Sequence, residues 1–220
     1  TYDTLLAEIR NHFRVPVVRH RQNRGIARSL NDGLAAARKA GVTWLLTVDQ
    51  DSHLASGYVA DLFETAMALQ VSDGLVGAVG AEVVDDVSGE LRYPCRTTDA
   101  GTFTEELIQT GTLWNVDAMN LVGGFDEELA IDAVDAAACL ALREHRYRIA
   151  VAPGSRIQHA IGNATQIRLL GRSIMVTNHS PERRAGMLRN RLQLFPREMR
   201  QNPRHAVRTL RRVGLNRSLG

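Results

Sequence analysis

The chain has 220 residues, of which 44% are apolar, and it carries a formal net charge of +3. This length fits one α/β domain with a short appendage and argues against two independent domains. No apolar run approaches the roughly 20 residues that a membrane-spanning helix needs. Because no basic start followed by an apolar stretch is seen either, we expect a cytoplasmic protein, with peripheral contact to the inner face of the cell membrane as an option.

The charge is divided unevenly along the chain. Residues 183–220 carry eleven arginines and one acid, about +10, so the total of +3 leaves about −7 on residues 1–182. We therefore expect a main domain at 1–180 and a basic amphipathic helical tail at 181–220.

Strands and helices alternate over the first 90 residues. The predicted elements, in chain order, are a strand at 15–20, a helix at 26–40, a strand at 43–48, a helix at 56–69 and a strand at 75–84. Gly41 closes the first helix, and residues 86–89 form a turn. This order is typical of a doubly wound sheet, in which the apolar strand 43–48 would be buried on both faces between parallel neighbours.

The second half of the chain is less regular. A helix is predicted at 134–146, followed by short strands at 148–151 and 156–160. From residue 181 onward, the apolar spacing predicts two amphipathic helices that Pro203 separates.

Two carboxylates follow the most apolar predicted strand. Asp49 and Asp51 would lie at its carboxyl end, where ligands bind in open α/β sheets. If the extended backbone persists, the alternation of side chains points both carboxylates the same way. Two hard oxygen ligands suit Mg²⁺ or Mn²⁺ carrying a diphosphate. Taken alone, the pattern also fits a solvated acidic loop.

Several motifs, in order and spacing, resemble those of the family 2 glycosyltransferases, and in particular its rhamnosyltransferase branch. They are QNRGIARSLNDG (22–33), WLLTVDQDS (44–52), TGTLWNVDAMNLVGGFDEELAIDAVD (110–135), QHAIG (158–162) and HSPERRAGMLRN (179–190). The resemblance implies an α/β fold of the GT-A type, the Rossmann-like fold of nucleotide-diphospho-sugar transferases. It also implies a mixed sheet and C-terminal helices.

The resemblance implies a donor site as well. Asn23, Gly25 and Asn31 would bind the donor, the first two at a helix N-terminus whose free N–H groups favour phosphate or ribose oxygens. Arg183, Arg184, Arg189 and Asn190 would belong to a segment that closes over the diphosphate, in which Arg184 and Arg189 would bind the donor. The alternatives are an ordinary helix N-terminal turn and a solvated basic helix.

The metal ligands that the resemblance implies are Asp49, Asp51 and His159. Asp49 would also contact the donor ribose. A lone histidine such as His159 is also often structural, so that alternative stays open.

On the acceptor side, the resemblance implies that Asp135 is the general base. Asp132 would orient the acceptor or the base, although it equally fits the N-cap of the predicted helix. Gly111 and Thr112 would form part of the acceptor floor, because a missing side chain lets a sugar approach the backbone.

These assignments predict a metal-dependent, inverting glycosyltransferase. The donor would be a nucleoside diphosphate sugar, with dTDP-rhamnose favoured, and the acceptor a cell-surface or lipid-linked glycan. The chain begins where the family has completed its first strand, helix and second strand, so the domain is expected to be N-terminally incomplete. The alternative is a catalytically inactive remnant that binds nucleotide, carbohydrate or a partner transferase.

The arginine-rich end allows a further alternative. Arg204, Arg208, Arg211 and Arg212 alternate with apolar residues, which is typical of a basic helix that lies on anionic lipid. The first 180 residues would then serve as a scaffold for a membrane-binding or nucleic-acid-binding module. Because aromatic residues are not interleaved with the arginines, we expect no nucleic-acid partner.

Overall fold

The structure is a computed structural model that describes residues 17–83, 93–129, 131–158, 164–169, 172–177 and 180–215. Its helices are α1 (Ile26–Lys39), α2 (Tyr58–Asp73), α3 (Val116–Leu121), α4 (Val134–Glu144), α5 (Pro181–Gln201) and α6 (Pro203–Leu215), with a 3₁₀ turn at Glu127–Leu129. Its strands are β1 (Trp44–Thr47), β2 (His53–Leu54), β3 (Val76–Glu82), β4 (Cys95–Thr98), β5 (Gly101–Thr104), β6 (Thr112–Asn115), β7 (Arg148–Gln158), β8 (Ala164–Leu169) and β9 (Arg172–Thr177).

Seven strands form one mixed sheet. Six of them follow the order β1-β6-β3-β7-β5-β4, and β2 pairs with β7 outside that path. Within the described sheet, β3 and β7 are the one parallel pair, and the other pairings are antiparallel. Strands β8 and β9 form a separate antiparallel hairpin. The mixed sheet and the C-terminal helices agree with the fold class that the sequence motifs imply.

The expectation that the strand around 43–48 has parallel neighbours is wrong. Strand β1 pairs with β6 in the antiparallel direction, with Trp44 opposite Asn115 and Thr47 opposite Thr112. It ends the path of the described sheet, and three of its four residues are only half-buried. A continuous apolar run does not by itself specify the direction of the neighbouring strand.

Local signals at both ends explain where α1 forms. Gly25 precedes it with φ +81°, and Gly41 follows it with φ +68°, two conformations that favour glycine. Arg38 and Lys39 lie in the last turn, where they complement the helix dipole. The predicted helix at 26–40 and its closure at Gly41 are thereby confirmed.

Other predicted strands differ from the observed ones. Residues 17–20 form no strand, while 15–16 and the predicted turn at 86–89 lie outside the described residues. The two short strands predicted at 148–151 and 156–160 are parts of one strand, β7, whose pairing with β3 shifts register between Ala81 and Glu82. The β4–β5 and β8–β9 hairpins were not predicted.

The core is centred on β3, whose first six residues are all buried. Small residues are required there because a Cβ at Gly80 would lie 2.7 Å from Leu107 Cδ2. On the neighbouring strand, the ring of Trp114 meets Phe125 edge to face, with 5.3 Å between the centroids.

The two C-terminal helices form as predicted, with Pro203 beginning the second one. Leu194 of α5 is 1% exposed and joins the core cluster, while His205, Ala206 and Thr209 of α6 are buried. Among the described helices, none combines the length and apolar character that crossing a membrane requires.

Candidate active site

Asp49 and Asp51 lie in a turn directly after β1. The Ser52 N–H donates a hydrogen bond to the Asp49 carbonyl at 3.2 Å, so the chain turns instead of continuing extended. The condition for aligned carboxylates, an extended backbone through Asp51, is therefore not met. Asp49 is half-buried and Asp51 is exposed, which leaves the Asp51 carboxylate accessible from solvent.

A polar segment just before β6 holds this turn. The Gln109 amide donates a hydrogen bond to the Asp49 carboxylate. The Thr110 hydroxyl accepts from the Asp49 N–H at 2.9 Å and lies 2.9 Å from the Ser52 hydroxyl. Gln109 was not predicted from the sequence, and Thr110 was noted only as the first residue of the motif 110–135, because the pairing of β1 with β6 is what brings both to Asp49.

Gly111 and Thr112, the predicted acceptor floor, adjoin the same turn. Gly111 has φ +71°, donates its N–H to the Thr47 carbonyl at 2.7 Å and accepts from the Tyr58 hydroxyl at 2.6 Å. Burial raises the pKa of Tyr58 far above its ordinary value, which keeps this hydroxyl a donor. The Thr112 hydroxyl donates to the Ile108 carbonyl at 2.6 Å, so it is engaged within the protein.

The predicted donor residues at the start of α1 form a local turn. The Asn23 side-chain oxygen accepts a hydrogen bond from the Gly25 N–H at 2.9 Å. Gly25 is the N-cap of α1 and no side chain caps the helix there. The first N–H groups of α1 therefore have no side-chain acceptor at the cap, as an anion-binding helix end requires.

Asn31 lies further along α1 and holds the loop that follows α3. Its side-chain oxygen accepts from the Phe125 N–H at 2.8 Å. Its amide group donates to the Phe125 carbonyl and to the Glu127 carboxylate, both at 2.9 Å. Both the oxygen and the nitrogen of the Asn31 side chain are therefore engaged, and Asn31 stabilises this loop.

Asp132 and Asp135 flank the start of α4. Asp132 and Ala133 both have φ +63°, a conformation that costs an L-residue about 1–2 kcal/mol. Ala133 is the N-cap, so the alternative that Asp132 is the N-cap is wrong. The Asp132 carboxylate instead accepts two hydrogen bonds from Arg183, at 3.2 and 3.4 Å. Asp135 is half-buried in the first turn of α4.

The other predicted residues lie near the start of α5 or outside the described residues. Arg184 is half-buried and Arg189 is exposed, both on α5. His159, the third predicted metal ligand, lies outside the described residues.

A charged cluster joins the segment before Gly111 to the C-terminal helices. Arg191 donates to the Glu106 carboxylate at 2.9 Å and lies 3.4 Å from that of Glu198. The His205 Nε2 atom is 3.7 Å from the Glu106 carboxylate. Burial by itself would raise the pKa of Glu106, but the charge and hydrogen bonds of Arg191, with His205 nearby, hold it well below its ordinary value.

This cluster has the ligand atoms of a metal site but not its charge balance. Oxygen atoms of Glu106 and Glu198 and a nitrogen of His205 lie within 4.8 Å of one another. The Arg191 guanidinium already contacts both carboxylates and offsets one of their two negative charges. A divalent ion there would therefore compete with an internal cation.

One short segment connects the two sides of the candidate site. Residues 106–111 contact Asp49 through Gln109 and contact Arg191 through Glu106. The negative charge of Asp135 in turn raises the pKa of Arg191, after the opposing effect of burial and the larger contribution of Glu106. Residues 106–111 thus link Asp49 to the Glu106–Arg191 ion pair, and the charge of Asp135 acts on that arginine.

The chain is similar to known glycosyltransferases. The dTDP-rhamnosyl transferase RfbF of Shigella flexneri is 27% identical over 184 residues, which is 79% of this chain and 60% of that protein. A solved mannosyltransferase, PcManGT from Pyrobaculum calidifontis in complex with GDP-Man and Mn²⁺, is similar in fold with a TM-score of 0.57. Its sequence identity is 16%, and the match covers 100% of this chain and 63% of that one.

The chain thus spans about 60% of the length of these relatives. The structural likeness supports the GT-A fold alone, because the sequence identity is low. The model of glycosyl transferase family 2 matches residues 2–117, more than half of the chain. The chain therefore belongs to glycosyl transferase family 2 and has its GT-A fold.

Proposed function

We propose that this chain transfers a sugar, rhamnose in the favoured case, from a nucleoside diphosphate donor to a hydroxyl group of a cell-surface or lipid-linked glycan. The observation that carries the proposal is the single segment 106–111, in which Gln109 contacts the donor-side Asp49 and Glu106 pairs with Arg191 of α5. Similarity to a dTDP-rhamnosyl transferase favours dTDP-rhamnose as the donor.

The Asp49–Asp51 turn fits a divalent metal. It offers carboxylate oxygens, the ligands that Mg²⁺ and Mn²⁺ prefer, and Gln109 orients one of them. When bound, the ion would neutralise negative charge on the departing diphosphate. His159 remains the proposed third ligand, and Mn²⁺ in the mannosyltransferase structure supports the choice of ion.

Two cationic features would receive the donor phosphates. The uncapped N-terminus of α1 at Gly25 presents N–H groups and the positive end of the helix dipole. Arg184 and Arg189 on α5 supply guanidinium groups, which bind phosphate oxygens in pairs. Both features match the charge of a diphosphate.

Asp135 is the proposed general base. The acceptor oxygen forms a bond to the anomeric carbon on the face opposite the diphosphate, and its proton passes to the Asp135 carboxylate. The bond from the anomeric carbon to the diphosphate oxygen breaks, and its electron pair leaves with the diphosphate. The configuration at the anomeric carbon is thereby inverted.

Donor binding is tested by calorimetry of a nucleoside diphosphate panel with and without Mn²⁺. We expect dTDP to bind only with the metal, and Asp51→Ala to abolish this binding. Asp99→Ala, in the exposed turn between β4 and β5, removes an equal charge and should bind like the unsubstituted chain. A folded chain that binds no nucleoside diphosphate would instead support the inactive alternative.

The role of Asp135 is tested by sugar transfer from dTDP-rhamnose, with the product anomer assigned by NMR. Asp135→Asn should lower kcat by about 10² to 10⁴-fold, the usual contribution of a general base. Asp117→Asn, at an exposed position in the first turn of α3, is the matched control. Retention of the donor configuration would exclude the inverting mechanism.

We also propose that α6 contacts the inner face of the cell membrane. Its exposed residues Arg204, Arg208 and Arg211 would face anionic lipid. Replacing all three by Gln should abolish sedimentation with vesicles that contain phosphatidylglycerol. Sedimentation that the substitutions leave unchanged would rule out this contact.

A further inference from the structure

One buried side chain of α5 reaches the loop ahead of Asp135. Asn190 is 3% exposed, and its amide nitrogen donates to three backbone carbonyls. The distances are 3.1 Å to Leu129, 2.9 Å to Ile131 and 3.0 Å to Asp132. The two hydrogens of this nitrogen are shared among the three carbonyls, so both of them are engaged in hydrogen bonds.

The loop has a backbone that needs such a contact. Asp132 and Ala133 are consecutive non-glycine residues with positive φ, and Ala133 is the N-cap of α4 with no side-chain hydrogen bond. Backbone of this kind persists only where its surroundings hold it, and it concentrates at functional sites. Of the carbonyls that Asn190 binds, that of Asp132 belongs to the strained pair itself, and that of Ile131 comes directly before it.

A second contact from the same helix is weaker. Arg183, two helical turns before Asn190, pairs with the Asp132 carboxylate, and its side chain is 44% exposed. An exposed ion pair contributes little to stability. Within the part of the loop that the structure describes, the amide of Asn190 is therefore the buried contact from α5.

We propose that Asn190 is a positioning residue, which fixes where α4 begins and thereby aims the Asp135 carboxylate at the acceptor hydroxyl. This inference rests on the proposed function of Asp135. It gives α5 a task beyond packing, because the helix would set the geometry of the base on a neighbouring helix.

The test compares Asn190→Ala with Leu194→Ala in the full chain. Both residues are buried on α5, but Leu194 belongs to the hydrophobic core and offers the loop no polar group. Asn190→Ala should lower kcat about 10²-fold, the effect of a reacting group misplaced by about 1 Å, and leave the Kd for dTDP with Mn²⁺ unchanged. Leu194→Ala should lower Tm without a comparable loss of kcat below that Tm.

Amide hydrogen exchange of residues 131–136 supplies a measurement without substrate. Exchange there should accelerate in Asn190→Ala and stay unchanged in Leu194→Ala, with β7 as the internal reference in both. Equal kcat and equal loop exchange in the two variants would overturn the proposal. If the unsubstituted chain transfers no sugar, the proposed function fails, and the exchange experiment alone decides whether Asn190 holds the loop.

Discussion

The side-chain amide of Gln109 donates a hydrogen bond to the carboxylate of Asp49, although 60 positions separate the two residues in the chain. The antiparallel pairing of β1 with β6 brings the two residues together, since Asp49 lies just after β1 and Gln109 just before β6. The Gln109 carbonyl also accepts a hydrogen bond from the Thr112 N–H at 3.4 Å. Gln109 thus connects the proposed metal ligand to the strand that carries the proposed acceptor floor.

Gln109→Ala should weaken metal-dependent nucleotide binding. Hydrogen bonds to charged groups contribute about 1.5–3 kcal/mol, so without this donor we expect the affinity for dTDP with Mn²⁺ to fall at least about tenfold. Gln193→Ala, at an exposed position on α5, is the control for loss of an amide. Equal calorimetric affinities for the two variants would show that Gln109 does not orient Asp49.

Gly111→Ala should destabilise the fold by about 3 kcal/mol, because a strained φ and a steric clash add together. A Cβ at this position would lie 2.5 Å from both Ile157 Cδ1 and the Tyr58 hydroxyl oxygen. Gly41→Ala is matched in φ, at +68° against +71°, but its Cβ would meet nothing within 4 Å. Urea unfolding of both variants therefore separates the contribution of the positive φ from that of the steric clash. An equal loss of unfolding free energy in the two variants would contradict the contribution of the clash.

Glu106→Gln should reduce stability in a pH-dependent way. Breaking the pair with Arg191 costs about 3 kcal/mol near neutral pH, as expected for a mostly buried ion pair. Because the pKa of Glu106 is lowered in the folded state, the pair stabilises fully above the ordinary Glu pKa of about 4.3. Its contribution is lost as the pH falls below that value, toward the lowered pKa.

The free energy of unfolding of both proteins, measured from pH 7 down to pH 3, checks this expectation. The difference between them should stay constant above about pH 5 and shrink below it. Glu64→Gln on the exposed face of α2 controls for the change in net charge. A difference that grows toward low pH would contradict the sign of the pKa shift.

Asn31→Ala distinguishes a structural role from a donor-binding one. The three hydrogen bonds to Phe125 and Glu127 predict a loss of about 2 kcal/mol in stability, with the affinity for dTDP and Mn²⁺ unchanged. Ser29→Ala on the exposed face of α1 should change neither quantity. If nucleotide affinity falls at a temperature where the variant is fully folded, Asn31 binds the donor, as the resemblance to the family implies.

Much of the local structure could be predicted from the sequence. Glycines at 25 and 41 bound α1, Pro203 separates the last two helices, and an apolar run ends at the Asp49–Asp51 pair. These features depend on neighbours within a few positions, where periodicity and backbone preference act directly. The five sequence motifs also predicted glycosyl transferase family 2, whose model matches residues 2–117.

The contacts that complete the candidate site could not be predicted in this way. Gln109 reaches Asp49 across 60 positions, Asn31 reaches Phe125 across 94, and Asn190 reaches Asp132 across 58. The periodicity of a sequence does not predict the hydrogen-bond partner of a side-chain amide. The residues of β1 also do not predict whether its neighbouring strand is parallel or antiparallel. The sequence by itself therefore determined the family, the local elements and the candidate acids. Only the tertiary structure decided which polar side chains hold those acids. Hydrogen bonds between residues so far apart in the sequence form only where the sheet and the helices bring those residues together.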